Sequence, residues 1–178
     1  MSFKKALLFL SILISIVLQS FELPKNLQKK VSKEIKIAFD IEEFLLESIQ
    51  ITDSLNSQLK TKISDKNFYK IVSDKKLLGY AFVDKAPSRD NVFDYLVLFD
   101  ENLVIKKAKV LIYREDYGGE IGSKRWLKQF IGKSTKDELI YKKDIIAISG
   151  ATVSANSMTV AVNNLLKTII ILHHNKAI

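Results

Sequence analysis

Polar and apolar residues change their spacing three times along this chain. Lys4 and Lys5 precede an uncharged run of 16 residues, Ala6 to Phe21, which Glu22 and Pro24 close. A positive flank followed by an apolar stretch is what the translocation machinery reads. The run falls between the apolar region of a cleaved signal and a full span of about 20 residues. Residues 1–23 are therefore expected to be a signal peptide or a membrane anchor that leaves the remainder on the extracytoplasmic side. Leucine stands where a cleavage site prefers a small residue (Leu18-Gln19-Ser20), which favours the anchor. From Pro24 to about Gln50, Leu27, Val31, Ile35 and Phe39 recur at spacing four, so a helical lead-in over 24–65 is expected, with Pro24 in its first turn.

Past the polar stretch Thr52–Lys66 the apolar period shortens to that of strands. Phe68–Val72 and Leu77–Val83 flank Ser73–Lys76 as a hairpin, and Tyr95–Phe99 and Val104–Tyr113 flank Asp100–Leu103 as a second. Asp84–Asp94, polar and holding Pro87, reads as a loop between them. A short helix carrying Trp126, Leu127 and Phe130 follows. The final helix, from about Ser154 to His173, lines up Met158, Val162, Leu165, Ile169 and Leu172. The expected fold is α+β: an antiparallel sheet of about four or more strands packed with an N-terminal and a C-terminal helix, its main domain at 66–178.

Composition narrows the chemistry. The chain of 178 residues fits one domain and an appendage, and it has no cysteine. That removes disulfides, thiolate-ligated metals and thiol nucleophiles. The two histidines, His173 and His174, lie at the C-terminal end, which argues against a His-based metal site or a Ser-His-Asp triad. Carboxylates, hydroxyls, lysines, aromatics and backbone remain, an inventory that suits a bound organic cofactor. The formal charge of +8 reads as diffuse, since Lys29-Lys30, Lys33-Glu34-Lys36 and Lys106-Lys107-Lys109 stand apart and none is interleaved with aromatics. Nucleic acid is not an expected partner. An anionic cofactor or an anionic membrane surface is compatible with the charge.

Two segments carry candidate chemistry. Gly118, Gly119 and Gly122 are three of the six glycines, and such density marks a bent, closely approached backbone. Ser149-Gly150-Ala151-Thr152 stands between the apolar run Ile145–Ile148 and the final helix. Free N–H groups and the helix dipole at such a start favour an anion, and Ser149, Thr152, Ser154 and Ser157 add hydroxyls. The same residue types serve an ordinary helix N-cap, so the residues alone leave capping and phosphate binding both open.

Ala147-Ile148-Ser149-Gly150-Ala151-Thr152-Val153-Ser154 resembles the signature of the FMN-binding domain family. That family includes subunits of the Rnf and sodium-translocating NADH:quinone reductase complexes and NosR-type regulatory membrane proteins. Tyr113–Ile121 followed by Trp126–Phe130 and Gly132 is similar to the segment that precedes the signature, and the resemblance spans roughly residues 66–167. It implies FMN as cofactor, carried on Thr152 through a phosphoester made by a separate flavin transferase, with Ser149, Gly150 and Ala151 shaping the turn and Ser154 as a further cofactor-binding candidate. Gly118, Gly119 and Glu120 are then candidates for the loop over the cofactor, with a plain surface carboxylate the other reading of Glu120; Tyr117 and Trp126 are stacking candidates, with a core anchor of its short helix the favoured reading of Trp126. Ile146 stands where the family pattern Asp-x-x-Ser/Thr-Gly-Ala-Thr has its aspartate; Asp144 lies two residues upstream. The role implied is that of an exported, membrane-associated electron carrier working with a membrane redox partner or reductase complex. The rival reading is a non-redox ligand-binding or sensory module that keeps the fold without flavin.

Overall fold

A computed structural model describes residues 23–178. The expected signal or anchor lies outside the described residues except for Leu23. Helix α1 spans Lys25–Phe39 and begins after Pro24, whose missing N–H costs nothing at a helix start. It stops well before Gln50, because Asp40 turns left-handed (φ 55°) and its N–H closes on the Lys36 carbonyl. The continuation that the apolar spacing suggested becomes β1 (Leu45–Ser48), a fifth strand. Strand β1 pairs antiparallel with β2 (Phe68–Ser73), from Leu45 opposite Val72 to Ser48 opposite Tyr69. A short helix α2 (Asp53–Gln58), capped by Thr52, interrupts the polar stretch between them.

Strands β3 (Lys76–Pro87), β4 (Val92–Asp100) and β5 (Ile105–Ile112) complete an antiparallel meander in the order β1-β2-β3-β4-β5. The loop expected over Asp84–Asp94 is mostly strand: β3 and β4 pair out to Pro87 opposite Val92, leaving a tight turn at 88–91. Tertiary partners hold that turn. The carboxylate of Glu115 accepts hydrogen bonds from the Ser88 hydroxyl and from the N–H groups of Asp90 and Asn91. Buried Asp94 pairs with Arg114, whose second guanidinium nitrogen donates to the Val92 carbonyl.

Each face of the sheet has its own helix. Leu27, Val31 and Ile35 of α1 pack on Ile71, Ala81, Val83, Leu96, Leu98 and Leu111. On the other face, helix α4 (Thr152–His174) packs Met158, Val162, Leu165, Ile169 and Leu172 against Phe68, Phe82, Tyr95, Val97 and Phe99. Helix α4 is long and apolar enough to cross a membrane by length and composition. Half of its apolar window is buried in this fold, as befits a core helix. Between β5 and α4 run a 3₁₀ turn (Gly119–Gly122), the single-turn helix α3 (Lys124–Leu127) and a second 3₁₀ turn (Lys128–Phe130).

Candidate functional site

The two segments singled out by the sequence meet at the start of α4. Gly118 has φ +76°, and a Cβ placed on it would stand 3.0 Å from the Ala151 Cβ, the Gly150 carbonyl oxygen and the Tyr113 hydroxyl. Only glycine fits that approach and that dihedral together. Gly150 is also left-handed, at φ +79°, which turns the chain from its extended approach into the helix. Tyr113, just past β5, lies with its hydroxyl 3.0 Å from Ser154 Oγ, tying the end of the sheet to the first turn of α4.

The approach to the turn is clamped from below. Trp126 Nε1 donates to the Ile146 carbonyl at 2.7 Å, and the Ile146 N–H donates to Gln129 Oε1 at 2.8 Å. Both backbone groups of Ile146 are thus held, while its side chain is 71% exposed. Asp144 does not stand in for the family's aspartate, because its Oδ2 accepts from the Ile140 N–H within a local turn.

Capping and anion binding, both open from the residues, separate here. Thr52 Oγ1 accepts from Leu55 N–H at the start of α2, and Ser123 Oγ accepts from Trp126 N–H at the start of α3. Helix α4, with Ala151 at its N-cap, has no side-chain cap, and neither has α1, which starts after Pro24. The first-turn N–H groups and dipole of α4 are left for an anion. Thr152 is the first residue of the helix and is exposed, as are Ser149 and Gly150; Ala151 is buried beneath them.

The other candidates divide. Ser154 is buried on Tyr113 and braces the site without presenting its hydroxyl to a ligand, which corrects its assignment as a free donor. Trp126 is 5% exposed with its ring edge-on to Phe130 at 5.3 Å, so its ring belongs to the core and only its N–H serves the site. Of the two roles open to Trp126, that is the core anchor. Tyr117, 82% exposed beside Gly118, keeps a free aromatic face. Gly119 and Glu120 are exposed, and a Cβ at Gly119 would meet nothing within 4 Å. His173 and His174 are exposed in the last turn of α4.

Three residues that sequence reasoning passed over support the loop. Tyr113 and Gln129 reach partners 41 and 17 residues away, and Glu115 fastens the loop to the β3–β4 turn. The Ser88 hydroxyl first, and then the backbone donors, hold the Glu115 carboxyl below its ordinary value. All three lie in the segment that carries the resemblance, but as single polar side chains they have no spacing by which to be recognised.

An uncapped helix start, an exposed threonine hydroxyl and a glycine-lined cradle fit a phosphate-bearing group. No curated protein matches the chain. The family model described as FMN-binding domain matches residues 92–167, from the first residue of β4 through most of α4, and so includes every element of this site. Residues 92–167 thus match the FMN-binding domain, and that domain indicates FMN as the cofactor.

Proposed function

We propose that this protein is an electron-transfer flavoprotein, a redox relay more than a stand-alone enzyme, in which FMN is attached through its phosphate to Thr152 Oγ. One observation carries the reading: the exposed Thr152 hydroxyl opens a helix that has no side-chain cap, inside an FMN-binding domain. When bound, FMN supplies one- or two-electron transfer, and the protein supplies anchoring and burial. The N–H groups of the first turn of α4 hold the phosphate, Gly118 lets the neighbouring loop close on the turn, and Tyr117 offers a face for stacking.

Ile146 favours a second form of the same function, FMN bound without the covalent bond. The turn keeps its shape because it is held through the Ile146 backbone, so the missing carboxylate alters what a flavin transferase would read and not how the phosphate is held. Co-expression with a flavin transferase followed by a fluorescent denaturing gel tests both forms. A band that vanishes in Thr152→Ala, and brightens in Ile146→Asp, supports the phosphoester. Flavin released on denaturation, unaffected by Thr152→Ala, supports the noncovalent form. Colourless protein overturns both and leaves the non-redox module.

The relay would work on the extracytoplasmic side, tethered by residues 6–21, between a membrane-embedded reductase and an extracytoplasmic acceptor. Leu23–Leu27, which follow that run in the chain, lie beside Ile112 and Arg114, while neighbouring Tyr113 reaches Ser154, so such a tether would join the fold at the end of the sheet that carries the candidate site. Five lysines follow the apolar segment closely against two before it, which by charge alone holds that flank inside, yet long domains translocate largely regardless of charge. A single cysteine introduced at Val160, labelled in intact cells by a membrane-impermeant maleimide, decides the compartment. The natural chain has no cysteine to compete.

A further inference from the structure

The charge that reads as diffuse along the chain is gathered by the fold. Helix α1 carries five lysines against one glutamate, and β5 carries three lysines and no acid. These two elements pack side by side: Lys107 and Lys109 flank Glu34, and Lys30 Nζ donates to the Leu111 carbonyl at 2.7 Å. Together they hold the entire net charge of +7 of residues 23–178, and the remaining 18 cations and 18 anions cancel. On α1, Leu27, Val31 and Ile35 face the sheet. Lys25, Lys29 and Lys33, one turn apart on the opposite side, are exposed, and Ile37 extends their row with 59% of its surface free. None of these three lysines forms an ion pair among the described residues.

We infer that the outward face of α1, with the β5 lysines at its flank, docks on an anionic lipid surface. Two observations select lipid as the occupant. The face is a row of flexible ammonium groups beside one exposed apolar side chain, which suits electrostatic attachment to an anionic headgroup layer. The 16-residue uncharged run ends at Phe21, so only Glu22, Leu23 and Pro24 separate it from α1. Three residues span about 10 Å at full extension, close to one screening length in physiological salt. The inference uses the anchor reading of residues 6–21 for the nearness of the surface, and the clustering of charge stands without it. Docking in this way lays the sheet along the membrane with α4 on the far side, so that the flavin site faces the compartment and its acceptor.

The test uses the full chain with phosphatidylcholine vesicles, with and without phosphatidylglycerol. Single cysteines at Ile37 and at Val160 carry a fluorophore, and the vesicles carry a headgroup quencher. Each lysine near such a surface strengthens partitioning about fivefold, so the three together contribute about 100-fold. Quenching at position 37 should rise about threefold or more with phosphatidylglycerol, fall in high salt and vanish in Lys25→Gln/Lys29→Gln/Lys33→Gln, while position 160 stays unchanged. Removing three exposed charges elsewhere, by Lys75→Gln/Lys76→Gln/Lys176→Gln, should leave the signal intact. Equal quenching in both lipids at position 37, equal gains at both positions, or equal loss in the two triple variants overturns the proposal. Flotation with phosphatidylcholine alone reads the anchor separately. A chain that floats only with phosphatidylglycerol, quenched at position 37, supports this face and overturns the anchor; one that floats with both lipids without quenching at 37 does the reverse.

Discussion

The helices on the two faces of the sheet are built for different tasks. Helix α1 is amphipathic: three apolar residues face the sheet, lysines cover the opposite side, and Asp40 closes the end. Helix α4 is apolar over much of its circumference and buries ten residues; like α1 it starts without a side-chain cap, but it opens on the Ser-Gly-Ala-Thr turn where α1 opens on Pro24. A helix whose start is left uncapped forgoes about 1 kcal/mol of local stability. Helix α4 can forgo it because its core contacts hold it regardless, and the open N-terminus is then free for phosphate. Helix α1 contributes covering and charge and takes no part in the site. The sheet between them keeps the basic surplus on one face and the candidate site, at the start of α4, on the other.

That division can be broken from either side. Leu165→Ala, at a fully buried position of α4, should cost about 3 kcal/mol in urea unfolding and reduce FMN loading with it. Val31→Ala on α1 should cost about 2 kcal/mol but leave FMN content per folded molecule unchanged, since α1 does not touch the site. Gly118→Ala combines a disfavoured dihedral with a 3.0 Å squeeze. It should lower stability by about 1–3 kcal/mol and abolish flavin retention, the reverse proportion to Val31→Ala.

A smaller effect follows from Glu115. Its carboxyl is held below the ordinary 4.5, so its grip on the 88–91 turn is complete above that value and is lost as pH falls through the lowered one. Amide exchange at Asp90 and Asn91 should quicken only at acid pH, and Glu115→Gln should remove that dependence. The smallest effect on stability is expected from Lys25→Gln/Lys29→Gln/Lys33→Gln: within about 0.5 kcal/mol, with unchanged FMN content and lost lipid docking. A loss of flavin in that variant would show that the two faces are coupled.

The strands and the terminal helix were legible because each carries its own period. All five residues of the Met158–Leu172 stripe are buried, as the spacing requires. Strand β1 was not legible: four residues, Leu-Leu-Glu-Ser, continue a helical spacing, and only pairing with β2 makes them a strand. The Asp84–Asp94 stretch misled in the same way, because its polar residues find partners in Arg114 and Glu115, beyond β5. At the site, the glycines and the Ser-Gly-Ala-Thr turn stood out as residue types. Whether Trp126 stacks or anchors depended on which part of the indole faces the turn, and composition carries no such direction.

The sequence by itself determined the layers, the position of the turn before the last helix and the domain family that the turn resembles, since those follow from local periods and short motifs. Tertiary structure decided that Gly118 meets Ala151, that Ile146 is held by its backbone, and that three lysine clusters separate in the chain share one surface. Those are relations between residues far apart in the chain. They arise only when packing against the sheet brings α1 beside β5 and the end of β5 against the start of α4.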